Sequence, residues 1–174
     1  MKLRILLIFA AALAMNANDV ESLWLDVPFI KQERDGCGAA SVAMLMNYWQ
    51  VHDSTVPIGD AVSIRRALYL PKERGIRASA MKTYLDQNGF RAFAFAGEWS
   101  DLRHHIANGR PLIVALKTGE DSFHYVVVAG VGEGTIVLND PADRKLRKYD
   151  RKDFEKRWTA TGRWTLLAVP RPVE

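Results

Sequence analysis

The order of helical and strand patterns along the 174-residue chain limits its fold more than any other feature. The segment Ala39–Trp49, AASVAMLMNYW, is apolar nearly all round and predicts a buried helix. Three further helices are predicted, near residues 60–70, 79–87 and 101–107. Strands are predicted at residues 90–96, 112–117, 124–131, 135–140, 145–149 and 164–169. Because most strands follow the helices without βαβ alternation, we expect an α+β fold with N-terminal helices packed on a C-terminal antiparallel sheet.

Two local features refine this outline. Residues 23–30, LWLDVPFI, contain Pro28 and therefore predict an extended segment or an edge strand. Ser100 is the predicted N-cap of the helix at residues 101–107, and Gly109 is expected to end that helix.

The first residues have the layout of a secretory signal peptide. Lys2 and Arg4 carry positive charge, the run from Ile5 to Leu13 is wholly apolar or alanine, and small residues follow it. Cleavage is predicted after Ala14 or Ala17, with Ala17 favoured. An uncleaved membrane anchor or a buried first helix is the alternative, but the run is short for a bilayer span.

We therefore expect a signal peptide over residues 1–17 and a single domain over residues 18–174. The mature domain is expected to be exported to the periplasm or the extracellular space. No other segment is expected to cross a membrane.

The charge of the chain is nearly balanced once the leader is discounted. Without Lys2 and Arg4, 22 of the 24 basic residues remain against 20 acidic residues, a net charge of +2. This balance argues against nucleic acid as a partner. One basic stretch runs from Arg144 to Arg157, RKLRKYDRKDFEKR. A solvated strand and helix face is its favoured interpretation, and binding of an acidic peptide or surface is the alternative.

Cys37 is the single cysteine of the chain, so an intrachain disulfide is excluded. A lone thiol in an oxidising compartment is a liability unless it is buried or used. Cys37 stands between Gly36 and Gly38, where a polar loop becomes a helix. The unpaired N–H groups and the positive dipole end of a helix start favour the thiolate. These features predict a catalytic nucleophile, and a buried structural cysteine is the alternative.

A thiolate mechanism needs a base that later protonates the leaving amine, and histidine suits this task near pH 7. The chain offers four histidines: His52, His104, His105 and His124. His124 opens the apolar strand HYVVVAGV, where a polar side chain is well placed to point into a cleft. We therefore predict His124 as the base. A hydrogen-bonded histidine at a strand end is the alternative.

Asp140 is the predicted partner that orients the imidazole. Its strand follows the turn GEG and is expected to form a hairpin with the strand of His124, in which Val131 pairs with Thr135. That register puts Asp140 opposite Val126. His124, two residues further along, then lies diagonal to Asp140 on the same face. A slip of one residue would separate the two side chains, and a plain turn residue before proline is the alternative for Asp140.

The oxyanion of a tetrahedral intermediate needs hydrogen-bond donors. The backbone N–H of Cys37 is one predicted donor. Gln32, five residues upstream, is the predicted second donor through its side-chain amide. A solvated loop glutamine is the alternative at this position.

The segments VPFIKQERDGCGAASVAMLMNYW, HYVVVAGV and VLNDPA resemble the C39 family of papain-like cysteine peptidases. The best-known members of that family trim double-glycine leader peptides for bacteriocin export. The resemblance runs from about Val27 to the C-terminus and implies a papain-like fold with thiol chemistry. By position it implies Cys37 as nucleophile, His124 as base, Asp140 as the third member and Gln32 as the oxyanion glutamine. No cofactor and no metal are expected.

Two features depart from the leader-trimming members of the family. The interval from Gln32 to Cys37 is one residue shorter than in those members, and those members are cytosolic domains fused to an ATP-binding exporter. With its own expected export signal, this chain is predicted to be a stand-alone peptidase that cleaves a peptide or protein outside the cytoplasm. An acyl transferase or amidase with the same thioester chemistry is one alternative, and a non-catalytic peptide-binding module is the other.

Overall fold

The computed structural model describes residues 23–120 and 122–172, so the predicted leader over residues 1–17 lies outside the described residues. The helices in these ranges are α1 Cys37–His52, α2 Ala61–Leu68, α3 Ala78–Gln87, α4 Trp99–Ala107 and α5 Arg151–Thr159. The strands are β1 Leu23–Trp24, β2 Phe90–Ala96, β3 Leu112–Lys117, β4 Phe123–Val131, β5 Thr135–Asn139, β6 Arg147–Asp150 and β7 Trp164–Pro170. Within the described ranges, every helix is too short or too polar to cross a membrane.

The strands form one antiparallel sheet in the order β2-β7-β3-β4-β5-β6, and β1 pairs with the end of β4. The predicted α+β class is therefore confirmed. Because β3, β4 and β5 are neighbours at the centre of the sheet, the strand of His124 lies between two partners that fix its position. This central placement of β4 allows the sheet to hold the predicted site rigidly.

Both faces of the sheet are covered by helices. Neighbouring β4 residues alternate between two apolar clusters, with Val127 on one face and Val126 on the other. Helices α1, α2 and α3 pack on the face of Val127. Helices α4 and α5 pack on the face of Val126, where Phe154 and Trp158 of α5 are fully buried. The helices thus enclose the sheet, rather than forming a single N-terminal layer on it.

Helix α1 begins at Cys37, two residues before the predicted start, and continues to His52. Most of its residues are buried, as the nearly continuous apolar sequence predicted. The helix packs against α2 and β4, so its N-terminus is held at one end of the sheet. Burial on several sides fixes the direction of α1 and therefore the place of its first residue.

The predicted N-cap of α4 is wrong. Ser100 lies inside α4, and Glu98 is the N-cap residue. The Asp101 carboxylate accepts a hydrogen bond from the Glu98 backbone N–H at 2.8 Å, which satisfies a donor that would otherwise be unpaired at the helix start. The earlier start also brings Trp99, which is 8% exposed, into the core beside Phe154. Tertiary packing therefore outweighs the local preference of serine for the cap.

The β4–β5 hairpin reaches the predicted register at the site by two compensating changes. At the turn, Val131 pairs with Ile136 rather than with Thr135. A β-bulge then lies between Val128 and Gly130, and beyond it Val127 pairs with Asn139. The extra residue in β4 cancels the one-residue shift at the turn. From the pair of Val127 and Asn139 onward, the two strands therefore have the predicted register.

The bulge is held by the N-terminal segment of the domain. The Leu25 backbone N–H donates to the carbonyl oxygen of Ala129, the bulged residue, at 2.6 Å. The neighbouring Gly130 lies so close to β1 that an added Cβ would be 2.9 Å from the Leu23 carbonyl oxygen. The N-terminal segment and the bulge therefore fit each other, and that fit determines the register of the hairpin.

Candidate active site

Cys37 is positioned by a tight turn that leads directly into α1. The Gly36 backbone N–H donates to the Glu33 carbonyl oxygen at 3.0 Å, and Asp35 has a φ of 55°. A Cβ on Gly36 would lie 3.0 Å from that same Glu33 oxygen, so a larger residue would crowd the turn. The thiol of Cys37 is free and partly buried. The helix start therefore presents the thiol at a fixed point, next to its own unpaired N–H groups.

His124 and Asp140 are in direct contact at the end of β4 and β5. The imidazole Nε2 lies 2.6 Å from the Asp140 Oδ1. The two side chains are only 15% and 8% exposed. The same Asp140 oxygen accepts a hydrogen bond from the Ala142 backbone N–H at 3.1 Å. These contacts fix the orientation of the carboxylate and, through it, the orientation of the imidazole ring.

His124 also contacts the thiol. The side chain of His124 and the backbone N–H groups of Tyr125 and Gly38 face the thiol and stabilise its anionic form, which lowers the pKa of Cys37. Because Nε2 of the imidazole faces Asp140, Nδ1 is the ring nitrogen left for Cys37. The carboxylate, the imidazole and the thiol therefore lie in series, with a hydrogen bond of 2.6 Å between the carboxylate and the imidazole.

The contacts shift the ionisation of the thiol and the imidazole in opposite directions. Burial by itself would raise the pKa of Cys37, but the hydrogen bonds from His124 and from the backbone N–H groups of Tyr125 and Gly38 hold it below its ordinary value. Burial would likewise lower the pKa of His124, but hydrogen bonds to Asp140 and Cys37 raise it to about 9. The arrangement therefore favours a thiolate–imidazolium pair at neutral pH.

Arg147 is a further charged group at the site, although it lies in the basic stretch from Arg144 to Arg157, for which a solvated face was predicted. Its Nη1 lies 3.8 Å from the Asp140 Oδ2 and donates to the Asp143 Oδ2 at 2.6 Å. Burial alone would raise the pKa of Asp140, but the hydrogen bond from His124, with help from the Arg147 charge, holds it below its ordinary value. Strand β6 places Arg147 opposite Leu138, two residues before Asp140. The alternation in KLRKY predicted the strand that carries Arg147, but its pairing with β5 could not be read from that pattern.

Gln32 is tied to the site through its backbone. Its N–H donates to the Pro141 carbonyl oxygen at 2.9 Å, next to Asp140. Its side-chain Oε1 is buried and has no hydrogen-bond partner among the described residues. Gln32 lines the same cleft as Cys37. The loop therefore brings this glutamine to the cleft, and its role as an oxyanion donor stays a prediction.

The other three histidines lie away from the cleft. His52 is in the last turn of α1, where its Nδ1 is 2.7 Å from the Tyr48 carbonyl oxygen. His104 and His105 are neighbours in the last turn of α4, and His105 packs near Phe95. None of the three lines the cleft that contains Cys37.

The cleft itself has a volume of about 850 Å³. Cys37, His124, Asp140 and Gln32 all line it. Residues 73–77 also line it, together with Arg147 and Tyr149 of β6 and Arg157 of α5. A cleft of this volume, with the thiol among its lining residues, has room for several residues of a peptide.

Comparison with known proteins agrees with this arrangement. A family model described as "Peptidase_C39 like family" matches residues 24–166. The chain belongs to the C39-like peptidase family. This membership confirms the family that the sequence motifs resemble and supports the assignment of the chain to the cysteine peptidases.

The C39-like domain has a curated relative of much greater length. It is 30% identical over 147 residues to the lactococcin-G-processing and transport ATP-binding protein LagD of Lactococcus lactis subsp. lactis. The match covers 82% of this chain, and the chain spans only 18% of the length of that relative.

Solved structures show the same fold. The peptidase domain of Streptococcus ComA, described as a bi-functional ABC transporter involved in a quorum sensing pathway, matches with a TM-score of 0.66 at 20% identity. That match covers 83% of this chain and 99% of the ComA domain. A double glycine motif protease from an AMS/PCAT transporter, in complex with the leader peptide, matches with a TM-score of 0.65 at 24% identity. It covers 85% of this chain and 94% of the protease.

Proposed function

We propose that this protein is a thiol peptidase in which Cys37 is the nucleophile, His124 the acid–base group and Asp140 the residue that orients His124. The observation that carries the proposal is the placement of the His124 imidazole between the Asp140 carboxylate, 2.6 Å from its Nε2, and the Cys37 thiol at the start of α1. A nucleophile in contact with a base, and a base oriented by a third group, is the geometry that covalent catalysis requires. The lowered pKa of Cys37 and the raised pKa of His124 support the same assignment.

The chemical steps follow from this arrangement. The thiolate Sγ of Cys37 bonds to the carbonyl carbon of the peptide, and the π electrons of the carbonyl move onto oxygen. The C–N bond then breaks, and the His124 imidazolium gives its proton to the leaving amine. A thioester remains on Cys37. Water next loses a proton to neutral His124 and attacks the thioester, which releases the acid and restores the thiolate–imidazolium pair.

The tetrahedral intermediates carry charge on oxygen, and the helix start supplies a donor for it. We assign one donor to the Cys37 backbone N–H, which lies at the unpaired end of α1. We assign the second donor to the side-chain amide of Gln32, which lines the same cleft.

The coupled thiol distinguishes this proposal from a binding module of the same fold. A module that only holds a peptide needs neither a thiol with a lowered pKa nor an imidazole with a raised pKa beside it. Acyl transfer to an amine shares the thioester and differs only in what attacks it. The products therefore separate hydrolysis from acyl transfer, because hydrolysis incorporates an oxygen from water.

The class of substrate is a peptide or protein. The names of the relatives describe lactococcin G processing and a double glycine motif protease bound to a leader peptide, and those descriptions apply to those proteins. Cleavage after a double glycine is one outcome that a substrate profile of this chain would detect.

We further propose that the peptidase acts outside the cytoplasm. The basic start, the apolar run from Ile5 to Leu13 and the small residues that follow support this placement. Expression of the full sequence in a bacterium, followed by fractionation and N-terminal sequencing, tests it. A mature N-terminus after Ala14 or Ala17 in the exported fraction is expected, and an intact Met1 in the cytoplasmic fraction would contradict it.

The catalytic proposal is tested with a mixed library of internally quenched peptides, whose products are identified by mass spectrometry in ¹⁸O-labelled water. Hydrolysis is expected, with one ¹⁸O atom in the new C-terminus and with complete inhibition after alkylation by iodoacetamide. Alkylation should occur with a pH midpoint well below the ordinary thiol pKa of about 8.5. An ordinary midpoint and no cleavage of any peptide would reject the enzyme and favour the binding module.

A further inference from the structure

The charges along the cleft are almost all paired within the protein. Four arginine side chains line the cleft: Arg74, Arg77, Arg147 and Arg157. Three of them form ion pairs with carboxylates that also line it: Arg74 with Asp35, Arg77 with Glu73, and Arg147 with Asp143. Arg157 forms no ion pair with any carboxylate among residues 23–120 and 122–172. It is therefore the cleft arginine whose charge the described part of the chain leaves unneutralised.

Arg157 is held at the cleft by its helix. Its neighbour Trp158 and, one turn earlier, Phe154 are fully buried, and they anchor α5 on the sheet face that also carries Val126 and Leu138. Arg157 itself is exposed to solvent. A long cationic side chain between such anchors has a fixed origin and a mobile tip, which suits recognition of a ligand in the groove.

The tip of Arg157 belongs to a defined wall. Its Cζ lies 6.0 Å from the centre of the Tyr149 ring, and the Cζ of Arg147 lies 4.7 Å from the centre of the same ring. Tyr149 and Arg147 are two residues apart in β6 and therefore point to the same side of the sheet. The wall thus combines one aromatic ring with a paired and an unpaired guanidinium, both near that ring.

We infer that this wall binds a carboxylate of the peptide substrate, with Arg157 as the residue that determines the preference. A guanidinium presents parallel N–H donors that match the two oxygens of a carboxylate. The carboxylate has two possible sources, an aspartate or glutamate side chain and the C-terminus of a short peptide. The inference rests on the proposed peptidase function and adds a substrate class to it.

The experiment compares the wild-type protein with Arg157→Gln and Arg157→Lys. The probes are internally quenched peptides with blocked ends that differ by a single glutamate or glutamine, moved through the positions around the cleaved bond. A second set carries a free C-terminal carboxylate in place of the blocked end. Lys156→Gln is the matched control, because it removes the same charge from the adjacent exposed position of α5, which borders a different surface depression near Gly134.

The wild-type protein is expected to cleave the glutamate peptide about tenfold more efficiently in kcat/KM than its glutamine counterpart at one position, mainly through KM. Arg157→Gln should reduce that ratio to about one. Arg157→Lys should keep part of it, since lysine retains the charge and its effect on the α5 dipole but loses the planar fork. Lys156→Gln should keep all of it. If the Arg157 substitutions change cleavage of the second peptide set only, the carboxylate that binds is the C-terminus of the peptide.

The outcomes separate this inference from the proposed function. Cleavage without a carboxylate preference, a preference that survives Arg157→Gln, or an equal loss in Lys156→Gln would overturn the inference and leave the peptidase intact. Failure to cleave any peptide, together with ordinary reactivity of the Cys37 thiol, would overturn the proposed function and the inference with it.

Discussion

The nucleophile and its base are held in place by different kinds of structure. Cys37 depends on local geometry, because a turn closed between Glu33 and Gly36 leads straight into α1. His124 and Asp140 depend on pairing between strands, and their contact requires the correct register of β4 against β5. A small change in the turn would shift the thiol gradually, whereas a register slip would move the base to the other face of the sheet.

The Gln32 loop connects these two regions. Its backbone N–H donates to the Pro141 carbonyl oxygen, so the segment before the nucleophile is fastened to the segment that carries Asp140. Asn139 adds a second link, since its fully buried side chain donates to the Val27 carbonyl oxygen at 2.9 Å. His124 and Asp140 are thus fixed by contacts between their side chains. Gln32 differs from them, because its described contact is made by its backbone. Substitutions can test whether function follows the same division.

The largest expected effect is that of Cys37→Ala. Removal of the nucleophile should reduce kcat by about 10⁴-fold or more, because no thioester can form. Cys37→Ser should be nearly as inactive, since a hydroxyl beside this imidazole is a far weaker nucleophile. Thermal unfolding should show both variants folded, with a Tm close to that of the wild type. Turnover near the wild-type level in either variant would refute the thiol mechanism.

His124→Ala should also eliminate turnover, and it should have a second effect on the thiol. Without the imidazolium, the pH midpoint of Cys37 alkylation should rise toward about 8.5 or higher. Because the pKa of His124 is raised to about 9, wild-type activity should be present at neutral pH and fall as the pH increases through that value and the proton donor is lost. His104→Ala, on the exposed side of α4, is the control and should change neither measurement. If His104→Ala lost activity and His124→Ala kept it, His124 would be excluded as the base.

Gln32→Ala tests the part of the site that is not held by a described side-chain contact. If the amide donates to the oxyanion, kcat should fall by about 10²–10³ with little change in KM, because the donor acts on charge present only in the transition state. Gln87→Ala, at the exposed end of α3, is the matched control. An unchanged kcat in Gln32→Ala would mean that backbone N–H groups alone hold the oxyanion.

Asp140→Asn should be milder, with a loss of about tenfold, equivalent to about one pKa unit of imidazolium stabilisation. Asparagine still accepts a hydrogen bond from the imidazole, as in the Cys-His-Asn arrangement of papain-like enzymes. Asp140→Ala should cost more, because it also leaves the Ala142 N–H without its acceptor. Steady-state kinetics on one neutral peptide, with Asp153→Asn as the control, provides the measurement. Equal activity in wild type and both variants would remove Asp140 from the triad.

The smallest expected effect is that of Arg147→Ala, measured on a peptide without carboxylates. The positive charge of Arg147 helps to keep the pKa of Asp140 low, so its removal should raise that pKa. Activity that depends on ionised Asp140 is lost as the pH falls through its pKa, and the acidic limb of kcat/KM should therefore move to higher pH. Near neutral pH the change should be about twofold, because Arg147 is partly exposed and screened. Arg147→Lys should return the acidic limb of kcat/KM to its wild-type pH. If the limb does not move in Arg147→Ala, the pKa of Asp140 does not depend on this charge.

Much of the fold follows from local sequence. The apolar run after Cys37 predicted α1, and the β-branched segments predicted β3, β4 and β5 close to their observed bounds. The position of Cys37 at a helix start was likewise available from the glycines that flank it. These features are local because helix starts and strand periodicity depend on residues that are near one another in the chain.

Tertiary structure decided what local patterns do not encode. The turn after β4 differs by one residue from the predicted pairing, and the bulge at Ala129 restores the register that brings His124 to Asp140. That bulge is held by Leu25, about a hundred residues away in sequence. Arg147 likewise approaches Asp140 only because β6 pairs with β5. The sequence by itself thus determined which groups carry the proposed chemistry, whereas strand pairing decided their contacts, since register depends on groups that meet only when the chain has folded.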